Sequence, residues 1–136
     1  MNGTVITTSD SSLQRIVHIV YALHALGLAI GALGAASVVG SFLFGWPSII
    51  AVIINYWYRS QARGSWLESH FNWQIRTFWW VLAWAIGIVL VSAPLVLLLG
   101  LGLVTGWVGL AVLGLWAIYR VARGWLRLNA HAAMPQ

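Results

Sequence analysis

Four long apolar runs, separated by short polar or glycine-rich breaks, make up most of this chain. The first runs from Leu13 to about Gly34, interrupted only by Gln14, Arg15, His18 and His24. The second, residues 36–59, is apolar but punctuated by Gly40, Gly45 and Pro47. A third covers residues 75–99, with Pro94 near its far end, and a fourth covers residues 102–127. Runs of about 20 apolar residues match the roughly 30 Å hydrocarbon core of a bilayer. The pattern therefore predicts an all-α fold: an integral membrane four-helix bundle over residues 13–128. Residues 1–12 and 129–136 read as polar tails, and Asp10, Ser11 or Ser12 can cap the first helix. Pro47 suits a first helical turn, which leaves two readings of the first hairpin. Either the second helix starts near Ala35 and kinks at Pro47, or Gly40–Trp46 is the outer turn of a long first helix.

One stretch departs from this simplicity. Between Gly64 and Trp80 the chain carries tryptophans at 66, 73, 79 and 80, together with Glu68, His70 and Arg76. Ser65 followed by Glu68 matches the capping box, in which each side chain satisfies the other residue's backbone N–H. At 100° per residue, Ser65, Glu68, Ser69, Asn72 and Arg76 form one polar stripe, with Leu67, Phe71, Ile75 and Phe78 roughly opposite. His70, Gln74 and Thr77 form a second, narrower polar line, flanked by Trp66 and Trp73. This predicts an amphipathic interfacial helix over residues 65–76, lying between the second and third spanning helices.

Composition strengthens the membrane reading. The 136 residues are 61% hydrophobic and 7% charged, too few polar groups to cover a soluble domain. The formal charge of +5 does not point to nucleic acid, because the basic residues, all arginine, sit beside hydrophobic segments. Arg15, Arg59, Arg63, Arg76, Arg120, Arg123 and Arg127 all fall on one side of a four-helix reading, and both outer turns carry none. The positive-inside rule then places both termini and the central loop in the cytoplasm. Tyr56, Trp57 and Tyr58 would form an aromatic belt at that face. The small residues Gly34–Ser37 invite comparison with a signal-peptide cleavage site, but the acid-containing tail without a basic cluster argues against it. Gly27 and Gly31 form a GxxxG that can let helices approach closely. The absence of cysteine removes disulfides and thiolate metal sites.

Candidate chemistry is sparse. By helical rise, His24 lies about 16 Å into the first helix, near the bilayer midplane, where an ionisable group is a functional candidate. Tyr21, one turn away on the same side, could bond to it. His18, about 7 Å deep, could face His70 and with it hold haem, although no binding motif accompanies the pair. The alternative for each histidine is a neutral ring satisfied by a neighbouring helix. Asn55, Gln74 and Arg76 complete the intramembrane or interfacial candidates, and Glu68 is explained by capping and an ion pair. Arg59, Arg63, Arg120, Arg123 and Arg127 are candidates for anchoring and for lipid headgroups. One isolated carboxylate cannot supply the acid/base pair of hydrolytic chemistry, and no nucleophile elbow, P-loop or dinucleotide fingerprint occurs. No enzyme, resident cofactor or metal is expected.

The runs Ile54-Asn55-Tyr56, Arg63–Phe71 and Trp73–Trp79 resemble a family of small bacterial inner-membrane proteins, common in proteobacteria. Its members carry a G-[ST]-W-L-E-S-H-F-x-W-Q-I-R-T-F-W core. The family is loosely similar to bacterial relatives of a chloroplast protein-import channel subunit, also a four-helix membrane protein. The resemblance covers about Tyr21 to Asn129, although Gly34–Trp46 is longer than the family pattern. It implies an inner-membrane location and a four-helix fold, and it implies no catalytic residue. The leading functional expectation is a non-enzymatic membrane protein acting by self-assembly or within a larger membrane complex, in contact with lipid. The alternatives are an oligomeric channel or carrier with His24 on the path, and a haem- or quinone-associated accessory protein.

Overall fold

A computed structural model describes residues 8–33, 38–98 and 100–135, and the described residues are helical with no strand. The helices are α1 (Thr8–Leu33), α2 (Val38–Phe44), α3 (Trp46–Tyr58), α4 (Trp66–Val96) and α5 (Leu101–Asn129). A 3-10 turn, Arg59–Ala62, links α3 to α4. Three helices, α1, α4 and α5, are long and apolar enough to cross a membrane. The small-residue stretch at 34–37 and the first residues of the N-terminal tail lie outside the described residues.

Two sequence expectations are corrected here. Residues 36–59, read either as a second helix kinked at Pro47 or as a Gly40–Trp46 turn leading into a short helix, are broken at Gly45, which is extended (φ −67°, ψ 138°) as the N-cap of α3. Pro47 supplies the reason. It has no N–H to continue a helix from α2, and its ring disfavours helical backbone in the residue before it. Gly45 must also stay a glycine, because a Cβ there would collide with the Ser41 carbonyl. At 13 residues α3 is about 20 Å long, too short to span alone.

The second correction concerns the interfacial helix expected at residues 65–76. It is not a separate element but the opening turns of α4, which runs unbroken to Val96. No glycine or proline lies between Trp66 and Trp80 to stop it. The helix start also differs in detail from a capping box. Ser65 is the N-cap but makes no side-chain cap bond. Its N–H and its hydroxyl both donate to the Ala62 carbonyl (3.1 and 2.7 Å). Glu68 therefore accepts from the N–H of Gly64 (2.9 Å), one residue further back.

The start of α1, the α3–α4 link, the start of α4 and the end of α5 meet at one end, where Leu13, Ala62, Leu67 and Leu128 share the core. Tyr21, His70 and Gly124 mark one level of the bundle, since the Tyr21 hydroxyl reaches His70 and its ring lies against Gly124. From that level α1 rises about 18 Å to Leu33, whereas α4 rises about 39 Å from His70 to Val96. The α4–α5 hairpin thus projects beyond the α1–α3 unit. Its projecting part is apolar on nearly every side, with Leu90, Val91, Leu103, Val104 and Trp107 all more than 60% exposed. From Trp79 to Leu98 it rises about 29 Å, the thickness of a hydrocarbon core. At the tip Gly100 takes φ +74°, and Gly102 lies so close to α4 that a Cβ would meet the Ser92 carbonyl.

Close helix approach is made at glycines. Gly27 of α1 packs against Ser48 of α3, and Gly124 of α5 leaves room for the Tyr21 ring. Gly124→Ala is expected to lower stability by about 1–3 kcal/mol through overpacking. Gly87→Ala, where an added Cβ meets nothing, is expected to raise it by up to about 1 kcal/mol. Thermal unfolding in detergent measures both, and equal behaviour of the two variants would refute the α1–α5 packing.

Candidate functional site

The second polar line of α4, His70–Gln74–Thr77, faces inward rather than toward lipid, and all three residues are buried. That burial organises the site. His70 Nε2 donates to the Ala132 carbonyl (2.9 Å), so the ring proton is on Nε2 and Nδ1 accepts from the Tyr21 hydroxyl (3.0 Å). The Tyr21 and His70 rings meet edge-on, 6.0 Å between centroids. This is not the Tyr21–His24 bond expected from their spacing. Helical side chains lean toward the N-terminus, so the long Tyr21 side chain points away from His24, which is one turn further on.

One helical turn above, α5 closes on α4. The Trp73 indole N–H donates to the Arg120 carbonyl (3.1 Å), and Arg120 Nε donates to the Thr77 hydroxyl (2.8 Å). The Arg120 guanidinium carbon stands 3.7 Å from the centroid of the Trp73 ring and 4.9 Å from that of Trp116. A charged side chain is thereby held by a hydroxyl and two aromatic faces, without a carboxylate.

Between these groups lies a tight crevice, with no free space large enough for a water molecule, lined by Tyr21, His24, Phe42, Trp73, Gln74, Thr77, Arg120 and Val121. His24 lies 5.1 Å from Phe42, centroid to centroid. Both ring nitrogens of His24, both amide atoms of Gln74 and Nη2 of Arg120 are buried without a hydrogen-bond partner. Phe42 enters from α2, so the broken helix contributes one wall. The chemistry on offer is recognition: hydrogen-bond donors and acceptors converge beside aromatic surfaces.

Of the residues singled out from sequence, Tyr21, His24 and Gln74 line this pocket, and His70 braces it through Tyr21. His18 accepts from the Trp125 indole N–H through Nδ1 (3.1 Å) and stays outside. Asn55 is buried on α3 with both amide atoms unpartnered, away from the pocket lining. Glu68 and Arg76 are also outside it. Arg120, expected as an anchor or a lipid-headgroup contact, lines the crevice instead, and Trp73, Thr77 and Phe42 were not singled out. Thr77 was legible as the third member of the inner polar line. Phe42 carried no sequence signal, because its contact with His24 depends on how α2 packs across α1.

His18 and His70 are each bonded elsewhere, His18 to Trp125 and His70 to Tyr21 and Ala132. Among the described residues, no three His, Asp or Glu side chains gather as a metal site. In comparisons with known proteins, no family model, no curated protein and no solved structure matches this chain.

Buried atoms without partners oppose folding, so His24→Leu is expected to stabilise the ligand-free protein by about 1–3 kcal/mol. Tyr21→Phe, which strands His70 Nδ1, is expected to destabilise it by a similar amount. Melting curves of the two variants in one detergent should move in opposite directions, and a shift of the same sign would contradict the hydrogen-bond assignment.

Proposed function

We propose that this chain is a small, non-enzymatic integral membrane protein that works by binding, its closed helices parting at this crevice to admit the polar head of a membrane-borne ligand. One observation carries the reading: unpartnered atoms of His24, Gln74 and Arg120 converge on a single pocket. Each such atom costs about 1–3 kcal/mol when buried without a partner. Among the described residues, no backbone or side-chain group supplies the missing partners. Leucine at positions 24 and 74 would give a more stable bundle, so the polar residues are understood as retained for a ligand. A head group bearing both a carbonyl or anionic oxygen and a hydrogen-bond donor would satisfy all three side chains. Trp73 and Phe42 offer aromatic walls beside it.

The orphaned groups face the interior of one chain, which supports an internal site over a pore shared between protomers. In this reading the arginine-rich end faces the cytoplasm by the positive-inside rule. The α4–α5 hairpin crosses the membrane from the level of Trp79 and Tyr119, and both termini stay inside. The resemblance of the Gly64–Trp79 run adds the bacterial inner membrane as its location.

Native mass spectrometry of the protein extracted in mild detergent tests the binding reading. The wild type is expected to retain a small-molecule or lipid mass that His24→Leu/Gln74→Leu loses while remaining folded. Identical profiles would refute an internal site. For the orientation, a tag on either terminus is expected to resist protease added outside intact cells, and cleavage of both would overturn it.

A further inference from the structure

The outer polar stripe of α4 leads to a second site. Ser69, Asn72, Trp73 and Arg76 share one face of the helix, and with Arg59 and Pro135 they enclose an open cleft of about 340 Å³. The C-terminal tail forms its rim, held by the Met134 N–H donating to the Ser69 hydroxyl (2.9 Å). Trp73 lines both this cleft and the inner pocket. Behind Trp73 stand Arg120 and Arg123, their guanidinium carbons 3.7 and 5.9 Å from its ring centroid. Arg76 and Arg123 lie within electrostatic reach of Arg120.

Two arginines thus line the cleft with Trp73, and two more stand behind its ring. The chain has only two acidic residues, Asp10 and Glu68, and neither lines the cleft. Glu68 is occupied by the Gly64 N–H. Like charges gathered without a carboxylate among them favour a counter-charge from outside the chain. The two that line the cleft, Arg59 and Arg76, carry planar forks that match the oxygens of a phosphate in paired hydrogen bonds. The height of the cleft narrows the source. Tyr56, Trp57, Trp79 and Trp80 are each about half or more exposed around it, and the Trp79 indole N–H donates to the Tyr56 hydroxyl (2.7 Å). Such an aromatic ring sits at the headgroup level of a bilayer.

We infer that the Arg59–Arg76 cleft binds the phosphate headgroup of an anionic phospholipid, with Asn72 and Trp73 beside it and the acyl chains lying against the exposed aromatic surface. This site is separate from the inner pocket, and it stands whether or not that pocket binds a ligand.

The full chain in a neutral detergent is titrated with dioleoylphosphatidylglycerol, dioleoylphosphatidylcholine or inorganic phosphate, and bound molecules are counted by native mass spectrometry. One phosphatidylglycerol per chain is expected, with phosphatidylcholine at least about tenfold weaker. At about 1 kcal/mol for each arginine, Arg59→Gln/Arg76→Gln should weaken the anionic lipid about 30-fold. Both residues are exposed, so the variant should fold. Arg15→Gln/Arg63→Gln removes the same charge from the same end outside the cleft, and it should change affinity less than about threefold. Equal losses in the two variants would mean diffuse surface attraction and overturn the site. Inorganic phosphate binding as tightly as the lipid would overturn the lipid assignment in favour of a soluble phosphorylated ligand. His24→Leu/Gln74→Leu should leave phosphatidylglycerol binding intact, so failure of the inner pocket and failure of this cleft read out separately.

Discussion

A half-buried arginine without a carboxylate locks α4 to α5, and much of the structure depends on it. Arg120 bonds through Nε to the Thr77 hydroxyl and lies over the Trp73 ring, while Trp73 returns a bond to the Arg120 carbonyl. Two helices are thereby locked in register at the level where their polar and apolar halves meet. Above that level the α4–α5 hairpin is apolar on its outside. Below it lie the arginines, the histidines and the C-terminal tail. The scarcity of acidic residues imposes this arrangement, because a guanidinium that must be partly buried has only hydroxyls, carbonyls and aromatic faces to meet it.

Such partners offset part of a buried charge and leave the rest. Arg120 Nη2 has no partner, nor do His24 and Gln74 beside it. The result is a tightly packed bundle with a polar interior that its own residues do not complete. Membrane helix packing gains little from hydrophobic exclusion, since lipid is as apolar as leucine, and depends instead on close backbone approach. The glycines at 27, 102 and 124 supply that approach. Stability that close packing provides can offset the cost of the unfinished polar centre, so the two features belong together.

The break at Gly45 has a similar double role. As one helix, residues 38–58 would have crossed beside α1. Broken there, they form α2, whose Phe42 lies against the His24 ring, and α3, which packs against both α1 and α4. The α1–α3 unit is therefore shorter than the α4–α5 hairpin, and the polar centre lies at its junction with that hairpin rather than midway along four equal spans.

Sequence alone determined the helical class, the long apolar runs at α1, α4 and α5, the clustering of arginine at one end and the inner polar line of α4. These are local properties: run length, residue type and the 3.6-residue period carry them without reference to neighbours. Pro47 also announced a disturbance, although not whether it would kink the helix or end it. Tertiary structure decided the rest. A polar stripe has the same period whether it faces lipid, water or another helix, so the periodicity could not show that His70, Gln74 and Thr77 turn inward. Nor could spacing along α1 show that Tyr21 meets His70, a residue 49 positions away. Which helix faces which is set by where backbones can approach closely. That depends on pairs of surfaces, such as Gly124 and the Tyr21 ring, whose residues lie far apart in the chain.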